Sequence, residues 1–380
     1  VKAALSCFVL QGGRTGVSAY VVNLFAAMQA ADRDTAYDVL VPAPDRDIVP
    51  VRGANVRRTV VPARWAHPVA AIAWHNLVLP VRSRREGYDL VHIPSYRRLP
   101  LVKGTRILAT VHDLATLHLD AKYDAARMFF NRRIVPTLIR RADRIVTVSR
   151  YTRADLVNLV GYPADRIHVV YSGIDHTVYR PVPRDEARAR LAESHGLDRP
   201  FLVFVSRVEH PAKNHVRLIR AFERLGPDAP DGLQLVFSGA DWNGAAEVRA
   251  AAAASPKAKD IRFLGFAPLA DLPLLYSACE VAVYPSLFEG FGFPIVEALA
   301  CGAPVVCSNT SSMGEIAGDC VPKFDPTRED DIAAAIAAAL RKGRSEDLSA
   351  RGRAYAAGFT WEGAARATLD VYRRTAEESP

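Results

Sequence analysis

Short apolar runs alternate with helical patterns along this chain, and that alternation limits its fold more than any other feature. Residues 2 to 10 form the first run; Tyr37 to Val41, Val56 to Val61, Tyr88 to Ile93, Arg106 to Val111, Arg144 to Ser149 and Ile167 to Tyr171 follow. Apolar runs of this length with helical segments between them read as strands buried on both faces, and connecting helices make the sheet parallel. From Pro181 to Pro200 the rhythm stops: Pro and charge crowd residues 181 to 186, then a short helical pattern appears. This segment reads as a boundary between two domains. The rhythm restarts with Phe201 to Ser206, Leu233 to Phe237, Ile261 to Leu264, Val281 to Tyr284 and Pro304 to Cys307. The expected class is α/β, and 380 residues that are 49% hydrophobic suffice for two or three domains with cores of their own.

After the run Val281 to Pro285 comes Glu289-Gly290-Phe291-Gly292-Phe293-Pro294-Ile295-Val296-Glu297. Two glycines let the backbone turn tightly, and Pro294 suits the first helical position because its missing N–H costs nothing there. A helix from Pro294 to Ala300, stopped by Gly302, points unpaired amides and its positive dipole end at whatever lies beyond the strand. Glu289 stands just before that end and Glu297 inside the helix. Amides that receive anions, flanked by carboxylates that accept from hydroxyls, suit a ligand with phosphate at one end and polyol at the other. A nucleotide-sugar has that form.

Other strand ends carry polar groups at the positions where α/β sheets bind ligands. Gln11-Gly12-Gly13-Arg14-Thr15-Gly16 separates the first run from a helical pattern, but lacks both the G-x-G-x-x-G spacing and a Walker lysine. His112-Asp113 follows Val111, and Ser149 follows Val148. Arg207 follows Phe201 to Ser206, and Lys213-Asn214 opens the next helix. Arginine as a planar fork and lysine as a point charge can meet the two phosphates of a diphosphate.

The net charge of +8 is concentrated in the first half: residues 1 to 180 hold 26 of the 49 Lys and Arg but 14 of the 41 Asp and Glu. That half therefore favours an anionic partner, whether membrane lipid, a phosphorylated acceptor or nucleic acid. Two stretches mix arginine with apolar and aromatic residues, Arg64 to Arg85 (with Trp65, Trp74 and Leu79) and Arg127 to Arg141. Each reads either as an interfacial amphipathic helix or as a core helix with solvated arginines. No recognition module for nucleic acid is visible. Without an apolar run of about 18 residues or a charged-then-apolar opening, the expected location is cytoplasmic, with peripheral contact at the inner face of the cell membrane. Cys7, Cys279, Cys301, Cys307 and Cys320 include no C-x-x-C pair and lie in apolar settings, which implies reduced thiols and no metal site.

The early glycine loop, Thr110-Val111-His112-Asp113-Leu114, Thr147-Val148-Ser149, Arg207 with Lys213-Asn214, Phe237-Ser238-Gly239 and the run Pro285 to Gly318 together resemble the retaining glycosyltransferases of family 4. The likeness spans nearly the whole chain, and its C-terminal motif keeps the family's two glutamates with seven residues between them. It implies the GT-B fold: two Rossmann-like domains facing across a cleft, residues 1–178 binding acceptor and 179–361 binding the nucleotide-sugar, with a final helix at 362–380 returning to the first. By this resemblance Arg207 and Lys213 bind the donor diphosphate, Glu289 the sugar hydroxyls and Glu297 the ribose. Ser206, Gly239, Gly290 and the backbone at Phe291, Gly292 and Phe293 line the donor. His112 touches the sugar, Gly12 and Gly13 lie near the phosphates, and Gly16, Asp113 and Ser149 are on the acceptor side. Tyr171-Ser172-Gly173 and Ser206 depart from the common Pro-Asn-Gly and glycine of the family, so donor specificity does not carry over.

The reaction expected is metal-free transfer of a hexose with retention, with no cofactor beyond the donor substrate. The run Glu289 to Gly318 looks most like the bacterial mannosyltransferase-type members of the family that build surface polysaccharides, a resemblance that implies GDP-mannose and a lipid-linked saccharide acceptor; a UDP-hexose with a small-molecule acceptor is the alternative. A nicotinamide oxidoreductase would want the missing glycine fingerprint. A non-catalytic nucleotide-sugar-binding scaffold would not need Arg207, Lys213, Glu289 and Glu297 together, and donor hydrolysis without acceptor separates it from an enzyme.

Overall fold

The structure is a computed structural model and describes residues 1–13, 15–119, 125–227 and 229–377; Arg14 of the glycine loop lies outside them. Seven strands form the first sheet: β1 (Lys2–Ser6), β2 (Ala36–Pro42), β3 (Val56–Val61), β4 (Leu90–Ile93), β5 (Arg106–Val111), β6 (Arg144–Thr147) and β7 (Ile167–Val169). Their order is β3-β2-β1-β4-β5-β6-β7 and every pairing is parallel, for example Leu5 opposite Val39 and His92. The second sheet contains β8 (Phe201–Val205), β9 (Gln234–Ser238), β10 (Ile261–Gly265), β11 (Val281–Tyr284), β12 (Val305–Ser308) and β13 (Lys323–Phe324), in the order β10-β9-β8-β11-β12-β13. Both sheets are α/β and Rossmann-like: each grows outward from its first strand to one side and then to the other.

The strands form where the apolar runs lie because helices cover both faces of each sheet. Ala3, Ala4, Val39, Leu40, Leu90, Val91 and Ile93 have 0% exposure, as do Leu202, Val203, Leu235, Val236, Val281 and Ala282. All twelve expected strands are present. The thirteenth, β13, is two residues long at a sheet edge and has too little apolar pattern to stand out in the sequence.

The chain divides into two compact units, residues 1–173 with 360–380, and residues 174–359. In the first unit the helix Trp361–Glu377 packs on the helix Gly16–Ala31. The Tyr372 hydroxyl lies 2.9 Å from Nδ1 of His92, whose Nε2 is 2.8 Å from the Thr110 hydroxyl. Burial pushes the His92 pKa down to about 3, so this ring is a neutral strut.

The two arginine-rich stretches resolve into mixed faces. Trp74 and Leu79 are core residues, as are Met128, Val135, Leu138 and Ile139. The stretch Arg127 to Arg141 is not one regular helix: Ala125–Phe129 passes into a π-helical turn, Phe130–Ile134, and then into Val135–Ile139. Pro136 has no N–H to continue the α-helical ladder, and the wider turn precedes it. Four cysteines are buried, Cys320 is partly so, and all five are free thiols.

Candidate active site

In the second unit β8 and β11 are neighbours, with Leu202 opposite Val281 and Val203 opposite Ala282, and the sheet grows away from them in opposite directions. Two loops therefore leave adjacent strand ends and diverge, which opens a crevice for ligand. The loop after β8 carries Ser206, Arg207 and Lys213; the loop after β11 carries Ser286, Glu289 and Gly290.

Lys213 and Glu289 meet directly. Lys213 Nζ donates to Glu289 Oε1 at 2.5 Å, and the Ser286 hydroxyl donates to the same oxygen at 2.8 Å. Asn214 holds the two loops together from a buried, left-handed position (φ 64°), its Nδ2 donating to the carbonyls of Pro285 at 2.9 Å and Pro326 at 2.7 Å. Leu287 N–H donates to the Ala212 carbonyl at 2.9 Å. The helix thus begins at His215, and Lys213 belongs to the loop ahead of it rather than to the helix itself.

Arg207 is half-exposed. Its guanidinium lies 4.8 Å from the Trp242 ring centroid and 3.3 Å from the Glu209 carboxylate. The ring stays beside it because Trp242 N–H donates to the Val208 carbonyl at 2.9 Å. Behind Arg207, the Ser206 hydroxyl is 3.3 Å from Nε2 of His215, a ring packed between Phe204 and Phe237 and held neutral by burial, its pKa pushed down to about 3. Gly239 donates its N–H to the Gly265 carbonyl at 2.7 Å, and a Cβ there would sit 1.9 Å from the Ser206 carbonyl oxygen. Only glycine lets these strand ends approach so closely.

The turn from Glu289 into its helix is braced from the loop after β12. Ser311 Oγ accepts from Glu289 N–H at 3.0 Å, and the Ser312 hydroxyl reaches the carbonyls of Glu289 at 2.9 Å and Phe291 at 3.1 Å. Gly292 caps the helix with φ 101°, so the helix is Phe293–Ala300 and Pro294 holds its second position, one residue later than the sequence suggests. The Phe291 ring is buried against Phe293 and Phe359, leaving its backbone as the part available to a ligand. Glu297 lies among tyrosines: Tyr276 donates to Oε2 at 3.2 Å, and Tyr179 also bonds the carboxylate. Burial outweighs both hydrogen bonds and raises the Glu297 pKa from 4.5 to about 7.

In the first unit Gly12 and Gly13 are exposed with φ of 74° and 80°, and Gly12 N–H donates to Asp45 Oδ1 at 3.0 Å. Gly16 opens its helix behind the Thr15 cap. The His112 ring stands edge-on to Tyr20, with centroids 4.7 Å apart, and bonds the Pro94 carbonyl. Its Nε2 is buried with no hydrogen-bond partner among the described residues. Burial depresses the pKa to about 4, against a smaller raising effect of Asp113, so this nitrogen is a neutral acceptor. Asp113 Oδ1 accepts from Ala115 N–H at 3.0 Å. Ser149 is fully buried, and its hydroxyl accepts from Thr152 N–H at 3.1 Å, capping the helix Arg150–Asp155. That hydroxyl holds a helix rather than facing solvent.

The model of glycosyl transferases group 1 matches residues 185–356, and that of glycosyltransferase family 4 matches residues 14–178. The chain is 32% identical to the O-antigen chain mannosyltransferase B of Escherichia coli over 70% of each chain. It is also 33% identical to a D-inositol 3-phosphate glycosyltransferase of Xylanimonas cellulosilytica, covering 78% of this chain and 75% of that one. The chain belongs to glycosyltransferase family 4. Solved structures agree on the fold. A sucrose-phosphate synthase from Thermosynechococcus elongatus superposes with a TM-score of 0.76 at 22% identity over 98% of each chain. An Anabaena protein solved with UDP and glucose gives 0.73 at 20% identity over 98% of this chain and 99% of that one. This family 4 enzyme is therefore a GT-B hexosyltransferase with a nucleotide-sugar donor.

Within the second unit, Ser206, Arg207, Lys213, Gly239 and Glu289 to Phe293 gather along one sheet edge, with Glu297 a turn further into the helix. Ser286, Ser311, Ser312, Trp242, Tyr179 and Tyr276 escaped sequence reasoning. The polar cluster Ser308 to Ser312 after a strand could have signalled Ser311 and Ser312; the tyrosines lie too far away in sequence to do so. Among the described residues no group of three His, Cys, Asp or Glu could hold a metal ion.

Proposed function

We propose that the enzyme transfers mannose, with retention, from GDP-mannose to a hydroxyl of a lipid-linked saccharide during surface polysaccharide or glycolipid assembly. The observation that carries the donor side is the Lys213–Glu289 contact at the β8–β11 switch point, made by a loop that also carries Arg207. A diphosphate competes for Lys213 and leaves Glu289 to accept from sugar hydroxyls. As the bond from the anomeric carbon to phosphate breaks, Arg207, Lys213 and the amides near Gly292 receive the growing charge. The acceptor oxygen forms the new bond on the same face, and its proton passes to the leaving phosphate. Glu297 accepts from the ribose, while His112, through Nε2, and Gly13 take their family roles toward sugar and phosphates. No metal is required on this reading, and peripheral contact with an anionic membrane accompanies a lipid-linked acceptor. The Escherichia coli mannosyltransferase relative supports the choice of mannose.

A second reading, a UDP-hexose donor and a small acceptor, is favoured on its acceptor side by D-inositol 3-phosphate glycosyltransferase relatives covering 95–97% of this chain. A thermal-shift screen of nucleotides and nucleotide-sugars, with and without chelator, separates the two. GDP-mannose should stabilise most and independently of chelator; larger shifts with UDP-hexoses select the second reading. No shift with any nucleotide refutes both.

A further inference from the structure

The helices Pro68–Leu77 and Leu79–Glu86 follow one another almost without a break, since Val78 N–H donates to the Trp74 carbonyl and Arg82 N–H to the Val78 carbonyl. Their inner face is core, with Ala71, Trp74, His75, Leu79 and Ser83 all buried. On the outer face, four-residue spacing puts Val69, Leu77 and Val81 in one stripe that continues into Arg84 and Arg85. The three apolar side chains are 54% to 69% exposed. Leu101 and Val102, 54% and 55% exposed, extend the stripe sideways: Leu101 N–H donates to Asn76 Oδ1 at 2.8 Å, and Arg84 donates to the Lys103 carbonyl at 3.3 Å. A soluble surface gains nothing by projecting five large apolar side chains side by side.

We propose that this face is where the first unit lies on an anionic lipid surface, with Leu77, Val81, Leu101 and Val102 entering the headgroup boundary and Arg84 and Arg85 meeting lipid phosphates. Charge decides the occupant. Arg84 and Arg85 are exposed and in no ion pair among the described residues. The nearest acid on the same helix, Glu86, is already taken by Arg57 and Arg82. The unit as a whole is cationic. A second copy of this chain would bring like charge against like charge, whereas apolar side chains ending in arginines match the depth profile of an anionic bilayer. The proposal gives a place to the membrane contact in the reading above and rests on that reading, but its test does not use the transfer reaction, so the two fail separately.

The experiment is flotation of the full chain with vesicles of phosphatidylcholine alone or mixed with phosphatidylglycerol. Wild type should bind only the anionic vesicles, and less well as salt rises. Arg84→Gln with Arg85→Gln should weaken binding roughly thirtyfold and flatten the salt dependence. Leu77→Ser with Val81→Ser should weaken it about tenfold or more while leaving the salt slope unchanged. All four side chains are exposed, so thermal unfolding and donor hydrolysis should match wild type and exclude misfolding as the cause. Wild-type failure to bind, or equal binding by both double variants, overturns the proposal. So does lipid-free self-association abolished by Leu77→Ser with Val81→Ser, which would assign the face to a second copy.

Discussion

Replacing Glu297 with glutamine tests the site through its electrostatics. The carboxyl keeps its proton to about pH 7 in the fold and loses it near 4.5 in the unfolded chain. Between these values the native state binds more protons than the unfolded state, so stability falls as pH rises through the window and is level above it. A shift of this size corresponds to about 3 kcal/mol at most, and solvent reaching one side of the carboxyl brings the expected figure to roughly 2 kcal/mol. Glutamine has nearly the same shape, can accept from Tyr276, and carries no charge at any pH. Wild type should therefore lose roughly 2 kcal/mol relative to Glu297→Gln between pH 5 and pH 8. Urea unfolding followed by circular dichroism at several pH values measures this, using the transition of the unit that carries the substitution. Subtracting the variant removes the other titrating groups. A wild-type-minus-variant difference that stays flat with pH would refute the burial argument. The same substitution should weaken nucleoside diphosphate binding at pH 8 about tenfold, because ribose hydroxyls lose a charged acceptor.

Lys213→Ala should lower kcat/KM about a hundredfold and weaken diphosphate binding more than monophosphate binding; near-wild-type transfer would remove Lys213 from the site. Gly239→Ala drives a Cβ to 1.9 Å from the Ser206 carbonyl oxygen, and the strand ends must separate to admit it. Chemical denaturation should report a loss of about 3 kcal/mol or more, and an unchanged midpoint would contradict the close approach. Asn214→Ala strips the Pro285 and Pro326 carbonyls of their donor and leaves alanine in a left-handed conformation. It should cost roughly 3 kcal/mol, with donor KM rising as the Lys213 loop loosens; if stability fell while donor KM held, the loop brace would not serve the site.

Much of the cluster proposed as the donor site could be read from the chain because its parts are local. Glu289, Gly292 and the helix that follows lie within one strand–turn–helix unit, and Arg207 and Lys213 share another. Spacing alone assigned them to strand ends. What spacing missed were the braces: Ser311 beneath the Glu289 amide, Asn214 reaching Pro326 across 112 residues, and Tyr179 and Tyr276 around Glu297. These contacts join segments whose nearness follows from strand order rather than from any local pattern. Ser149 illustrates the opposite case. The sequence puts it at a strand end where ligands bind; the structure buries it fully and bonds its hydroxyl to Thr152 N–H, a helix-capping contact that no local pattern had signalled.

By itself the sequence determined the class of fold, the positions of twelve strands, the division into two sheet domains, and the glycosyltransferase motif at Glu289 to Glu297. Each of these depends on the length of apolar runs, on the 3.6-residue period between them, or, for the motif, on a few adjacent residues whose form resembles the family's. The tertiary structure alone decided that Lys213 and Glu289 touch, that the Glu297 proton is held to about pH 7, and that Trp74 and Leu79 are core while Leu77 and Val81 face out. Those outcomes depend on burial and on neighbours brought from elsewhere in the chain, and a one-dimensional pattern holds neither.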